Sequence, residues 1–497
     1  MTQPSTLPAP GRNAQCPCGS GKRYKDCHGR ADAPAPATAP DPAVLARAGV
    51  AAHQGNDLDA AERLYRQALA LAPDQPLALH YLGVVLYQRG RVDDAMPLLD
   101  RAVALVPTEA EFHNNRGLAL AARLQDALAV DAYRRALTLK PRHAGAWNNL
   151  GLALQALGDL PGAIDAYHRA LAITPDHPQT HWNLGLALLV SGNLASGWAE
   201  YEWRLRAPEL QSFIRQWPAP RWHGEDIAGR TILLHAEQGL GDTLQNIRFA
   251  GAVAARGARV IAAVQTPLLR LAASAPGVSA VVGPDDAIPA FDMHIPLMSL
   301  PFVLGATSEQ LSVAVPYLRS DPARRRDAAA LVARHANRAL RIGIAWSGAA
   351  GTHYNLRRAC PLDQLAPLFQ LPGTRWFSLQ KDSAESGAER PGATHAHPLL
   401  ELDLRKDFDG TAALIDALDV IVSVDTSMAH LAGALGKPLL LMLPFAPDWR
   451  WSVAGDNTPW YPTARLFRQH TSGDWSMPLA RIESALATMV AELQLPQ

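Results

Sequence analysis

The sequence predicts an α + α/β protein in which a helical solenoid leads into a pair of Rossmann-like halves, with a small metal-binding knot in front. Three observations carry this. Three cysteines and a histidine crowd between Cys16 and His28. A spacing of 34 residues recurs from Gly49 to Gly185, and beyond about residue 227 short apolar runs alternate with helical stretches.

Composition sets the outer bounds. The 497 residues are enough for roughly three units at ~100–200 residues each. Hydrophobic residues at 48% and charged residues at 19% exclude a disordered or fibrous chain. Lys+Arg and Asp+Glu both number 46, so no global field favours nucleic acid or an anionic membrane. The best apolar run, Leu439–Leu443, is one strand long, against the ~18–20 residues of a spanning helix. The first residues have neither a basic start nor an apolar stretch, so no signal peptide is expected. Clustered cysteines fit a metal site in a reducing compartment better than a disulfide framework. The expectation is a soluble cytoplasmic protein with neither a nucleic-acid partner nor a membrane span.

The knot spans 13–30, and its candidate ligands are Cys16, Cys18, Cys27 and His28. Three thiolates and one imidazole make a closed tetrahedral set suited to structural Zn²⁺. Gly19 and Gly21 allow the reversal that brings the two pairs together, and Lys22, Arg23 and Lys25 help hold the thiols deprotonated. The run from Gln15 to Gly29 closely resembles the SEC-C zinc motif, which implies a zinc-dependent docking knob for other proteins. Residues 31–41 alternate proline with small residues and read as a semi-extended linker.

Residues 42–208 repeat. Gly49, Gly83, Gly117, Gly151 and Gly185 keep a 34-residue step, as do Pro73, Pro107, Pro141 and Pro175, and Ala61, Ala95, Ala129 and Ala163. Tyr65, Tyr133, Tyr167 and Tyr201 share another phase. This is the tetratricopeptide signature, about five repeats long. Small residues mark close helix approach, the aromatic fills space between neighbouring repeats, and proline closes the second helix. Asn115, Asn149 and Asn183 form an amide column on the first helices. Such a ladder suits the backbone of an extended peptide; hydrogen bonding between adjacent helices explains it equally well.

The α/β part divides into 227–335 and 338–492. Strands are expected at Thr231–His235, Arg259–Val264 and Val278–Val282, then at Leu340–Trp346, Arg375–Gln380, Val420–Asp425 and Pro438–Leu443. Alternation with helices indicates parallel sheets, and ligands of such sheets bind beyond the strand carboxyl ends. There the first half places Gly239, Gly241, Asp242 and Thr243. Asp242 is positioned to act as a general base toward a hydroxyl, or simply to cap its helix. The second half places Asp425, Thr426, Ser427 and Met428 at a helix start, with His430 one turn on; free N–H groups there suit a diphosphate. Ser347 and Gly348 end another strand before Arg358, and Lys381 ends the next; these cations can meet phosphate charge.

Together the runs Gly241-Asp242, Gly343–Gly348, Phe377–Lys381, Ser423–Gly433, Leu443–Trp451 and Pro459–Pro462 carry a resemblance. Residues from about 229 to 492 are similar to the family-nine, heptosyltransferase-like glycosyltransferases with a GT-B fold. The whole of 42–492 resembles bacterial tetratricopeptide-repeat glycosyltransferases. The resemblance implies sugar transfer from a nucleotide-sugar donor to an acceptor hydroxyl, inverting and without a bound metal. It makes Asp242 the base and Asp425–His430 the diphosphate holder, with Arg358 on phosphate. The 347–360 loop and the repeats depart from authentic heptosyltransferases and put heptose and lipopolysaccharide in doubt. The repeats would recruit the acceptor, a protein or peptide. A second reading is a non-catalytic scaffold with a degenerate transferase module.

Overall fold

The computed structural model describes residues 10–28, 40–213, 215–336, 338–348, 353–380 and 407–494. Most of the expected linker, 31–39, and the end of the knot, 29–30, lie outside these. Two compact units divide the chain at 115/116.

In the first unit, the knot folds back through a bridge between Gln15 and Arg23. Helices α1 (Pro42–Gln54), α2 (Leu58–Leu71), α3 (Pro76–Gln88) and α4 (Val92–Leu105) then pair in order, leading into α5 (Ala110–Ala122). Asp41 and Asp57 cap α1 and α2 through side-chain bonds of 2.8 and 2.9 Å, satisfying donors the helix cannot. The Tyr65 ring lies on Gly49 of its own repeat, where a Cβ would sit 2.5 Å from it, and 6.1 Å from Tyr81 of the next repeat. The aromatic thus fills space inside the repeat as well as between repeats.

The second unit begins with its own run of repeat helices, α6 (Asp126–Leu139), α7 (Ala144–Ala156), α8 (Leu160–Ile173), α9 (Pro178–Val190) and α10 (Leu194–Tyr201), then two short 3₁₀ stretches to Phe213. Gly117 and Gly151 meet Tyr133 and Tyr167 as Gly49 meets Tyr65.

Two fully parallel sheets follow. The first has the order β3-β2-β1-β4, with β1 at Thr231–His235, β2 at Arg259–Ala263, β3 at Val278–Val282 and β4 at Met293–Pro296. The second has the order β6-β5-β7-β8-β9, with β5 at Leu340–Ala345, β6 at Thr374–Ser378, β7 at Val420–Val424, β8 at Leu439–Leu443 and β9 at Ala464–Arg468. β7 and β8 are buried along their whole length, as strands covered on both faces must be. The sequence had no strand at β4 or β9. Both end a sheet, and their mixed compositions, Met-His-Ile-Pro and Ala-Arg-Leu-Phe-Arg, lack the apolar run that marks the central strands. After β1 the chain enters α11 (Leu240–Asn246), which gives way to a 3₁₀ turn and a short helix at Ala250–Ala254.

The glycine column yields a stability prediction. Gly151→Ala places a methyl into the fully buried Tyr167 ring and should lower stability by about 1–3 kcal/mol. It would be read as a lower urea midpoint of the helical circular dichroism signal.

Candidate active site

Each sheet reverses its strand order once, beside β1 in the first and beside β5 in the second. Ligands of open α/β sheets bind at such reversals. The loops leaving β1, β5 and β7 meet around a cavity of about 520 Å³.

One wall is the start of α11. Asp242, third in the helix, accepts the Gly239 N–H at 2.9 Å, so it does cap the helix. Its other oxygen accepts from the Arg450 guanidinium. Arg450 is buried and also donates to Asp448 Oδ1 at 2.8 Å and Gln245 Oε1 at 2.6 Å, while its guanidinium lies 4.3 Å over the Trp449 ring. Burial raises the Asp242 carboxyl above its ordinary range, against the pull of Arg450.

The facing wall is the start of helix Ser427–Ala434. Thr426 caps it, accepting the Met428 N–H at 3.3 Å. Arg358 donates to the Asp425 carbonyl at 2.7 Å, and Asn355 Oδ1 accepts the Gly348 N–H at 2.7 Å. His430 is buried, with Nδ1 2.9 Å from the Tyr461 hydroxyl and its ring stacked on Trp451 at 5.5 Å. Burial, then Arg450, Arg248 and Arg358, push its pKa well below the ordinary value. The imidazole is therefore neutral, and its 3.8 Å approach to Asp425 is not an ion pair. The two helix starts touch: a Cβ on Gly241 would lie 2.8 Å from His430 Cδ2.

The third wall comes from the solenoid, as Trp182, Leu186 and Tyr201. Gln238 donates to the Tyr201 hydroxyl at 3.2 Å. Fully buried Arg204 donates to Glu237 and Ser299, both at 2.7 Å. Buried Asp126 at the start of α6 accepts two 2.8 Å bonds from Arg357, the neighbour of Arg358.

Of the expected site residues, Gly239, Gly241, Asp242, Gly348, Arg358, Asp425, Thr426, Ser427 and His430 line this cavity. Three do not, which corrects their expected placement. Thr243 is buried with its hydroxyl 3.0 Å from Gln265 Oε1. The Ser347 hydroxyl turns to the Gly348 carbonyl at 3.2 Å, and Met428 packs on the apolar core. In the two helices the cause is rotation: each residue turns about 100°, so the neighbours of a cavity-facing position point elsewhere. Lys381 lies outside the described residues. Sequence reasoning missed Arg450, Asp448, Gln238, Trp182 and Tyr201. Arg450 sits inside the Leu443–Trp451 run, and that was its one signal.

The amide column is bonded within the solenoid. Asn115 Nδ2 lies 3.1 Å from His80 Nε2, Asn149 Oδ1 accepts from Asn148 at 3.4 Å, and Asn183 donates to Asn148 Oδ1 at 3.0 Å. The Asn115 and Asn183 bonds run between first helices of adjacent repeats, whereas the Asn149 bond joins two neighbours within α7.

In the knot, ligand atoms of Cys16, Cys18, Cys27 and His28 all lie within 4.8 Å of one another. Cys16 Sγ is 3.1 Å and Cys27 Sγ 3.3 Å from His28 Nδ1, and Cys18 and Cys27 sulfurs are 3.6 Å apart. A tetrahedron with bonds of ~2.3 Å has edges of about 3.7 Å, so the donor set and its spacing fit a metal ion.

Profile comparisons now bear on this geometry. The glycosyltransferase family 9 (heptosyltransferase) profile matches residues 374–448. That stretch, within the second α/β half, is thus similar to the family 9 glycosyltransferases. Tetratricopeptide profiles match 47–110 and 156–192, and the SEC-C motif profile matches 12–30. The chain is 27% identical over 324 residues to Protein FlbA of Caulobacter vibrioides, covering 60% of this chain and 53% of that protein. It thus spans about half the length of that relative. Over 30 residues it is 69% identical to the protein translocase subunit SecA of Janthinobacterium sp., 6% of this chain and 3% of that one. Among solved structures, the crystal structure of MamA is 28% identical with a TM-score of 0.29, covering 33% of this chain and 96% of that chain. No helix among the described residues is long and apolar enough to cross a membrane.

The Asp126–Arg357 pair makes a prediction. Arg357→Ala leaves Asp126 buried and uncompensated, and should cost about 3–5 kcal/mol. Adding Asp126→Asn should recover part of that loss in a denaturation cycle, because it removes the stranded charge.

Proposed function

We propose that this protein transfers a sugar from a nucleotide-sugar donor to an acceptor hydroxyl, with inversion, the repeats recruiting the acceptor or a partner protein. The observation that carries the reading is that Asp242 and the Asp425–Ser427 helix start line the same cavity, with Arg358 and Arg450 beside them. Because the chain spans only half of its FlbA relative, the activity rests on this geometry together with the family 9 similarity of residues 374–448.

On this reading the donor diphosphate sits against the N–H groups at the start of Ser427–Ala434 and the Arg358 fork. The acceptor oxygen attacks the anomeric carbon while the bond to the diphosphate breaks, and the hydroxyl proton passes to Asp242. Positive charge from Arg358 and Arg450 meets the developing negative charge on the leaving group, so no step is routed through a metal. A diphosphate drawing on Arg450 also loosens its hold on Asp242, freeing the carboxylate as base. The raised carboxyl pKa makes Asp242 a better base near neutrality. At the N-terminus, Cys16, Cys18, Cys27 and His28 would hold Zn²⁺, which supplies folding energy to the knot.

The cap and ion pair on Asp242 also favour a second reading, a non-catalytic scaffold, and one substitution separates the two. Asp242→Asn should lower transfer by about 10²–10⁴ and leave nucleoside diphosphate affinity within about twofold. Unchanged turnover removes Asp242 as base. Arg358→Ala should weaken diphosphate binding roughly tenfold or more, measured by calorimetry.

With the carboxyl raised, kcat/KM should rise with pH along a limb lying above the ordinary carboxylate range, because only the deprotonated form accepts the proton. A flat profile through that range counts against the assignment.

Metal analysis of the full chain should find about one zinc per chain, lost on chelation and lost in Cys27→Ser. A metal-free native protein would refute the zinc site.

A further inference from the structure

We propose that Trp182, on solenoid helix α9, forms the sugar-binding side of the transferase cavity and selects the sugar that the donor carries. The inference rests on the transferase reading above and adds a residue from the repeats to the site itself.

The repeat period puts Asn114, Asn148 and Trp182 in one column, 34 residues apart. In the repeat before, the position is an amide: Asn148 bonds to Asn183 and Thr180 inside the solenoid. Only where the solenoid borders the cavity does the column carry an indole. Leu186, one turn on and on the same helix face, lines the cavity with it, as do Tyr201 and Trp449. Apart from Leu240 and three glycines, the remaining lining is charged and polar.

Trp182 is only partly buried and lines the cavity, while its Nε1 is out of contact with solvent, so the indole ring and not its N–H is what a ligand meets. A pyranose ring offers an apolar C–H face, which an aromatic ring in the cavity wall can meet by stacking. With the diphosphate on the charged wall, the attached sugar is the donor group left to face Trp182.

The wall is fixed in place. Asp126 pairs with Arg357 and fully buried Arg204 with Glu237, so α9 cannot leave the cavity without stranding buried charges.

Calorimetric titration of the full-length protein with UDP, GDP and ADP, and with UDP-glucose, GDP-mannose and ADP-glucose, tests this. Trp182→Ala should keep diphosphate affinity within about twofold and lose about tenfold for the nucleotide sugar. Trp182→Phe, which keeps a smaller ring, should fall between. Wild-type affinity for the nucleotide sugar in both variants overturns the proposal, including the case in which only the acceptor KM rises. Equal loss of diphosphate and nucleotide sugar overturns it too, since that marks a structural role. A wild-type protein that binds none of the six ligands defeats the transferase reading itself, and this inference falls with it.

Discussion

The contact between two helix starts is the constraint on which the site depends. Helix α11 and helix Ser427–Ala434 meet with Gly241 against the His430 ring, so close that a methyl at 241 would collide. That approach brings the Asp242 end of one half to the Asp425–Ser427 end of the other. It holds because His430 is neutral: burial removes its proton, and a bond to the buried Tyr461 fixes the ring. A charged imidazole there would face Arg450, Arg248 and Arg358 in a poorly screened interior.

Two arginines secure this closure. Arg248 reaches from the first half to the Trp460 carbonyl of the second at 2.6 Å and to the Tyr317 hydroxyl at 2.9 Å. Arg450 reaches back to Gln245 and Asp242. Arginine suits both positions because its fork satisfies several acceptors at once and keeps its charge when buried. Such buried charges add little net stability against apolar packing, but they penalise every arrangement that leaves them unpaired. Their contribution is geometry.

The same logic joins the second unit's repeats to the two α/β halves. Trp198 donates to the Ala306 carbonyl at 3.2 Å and packs edge-on to Trp449 at 5.2 Å, so one solenoid residue touches both halves. With Arg204 on Glu237 and Asp126 on Arg357, the C-terminal repeats form a wall of the cavity.

The sequence by itself determined whatever depends on neighbours close along the chain. The repeats were legible because Gly49, Gly83, Gly117 and Gly151 each meet a side chain sixteen residues on, and a 34-residue period records that contact directly. The central strands were legible as apolar runs, and the two helix starts as glycine, aspartate and hydroxyl clusters at strand ends. The knot was legible because its four ligands fall within one short loop. Tertiary structure alone decided the rest. Arg450 acts on a carboxylate 208 residues away, and Arg357 on one 231 residues away, distances over which no local period leaves a trace. Edge strands β4 and β9 carry no continuous apolar run. Trp182 reads as one more residue of a repeat until the fold sets α9 against the cavity. Side-chain direction is set by helix rotation and by the packed neighbour, and only three dimensions supply both.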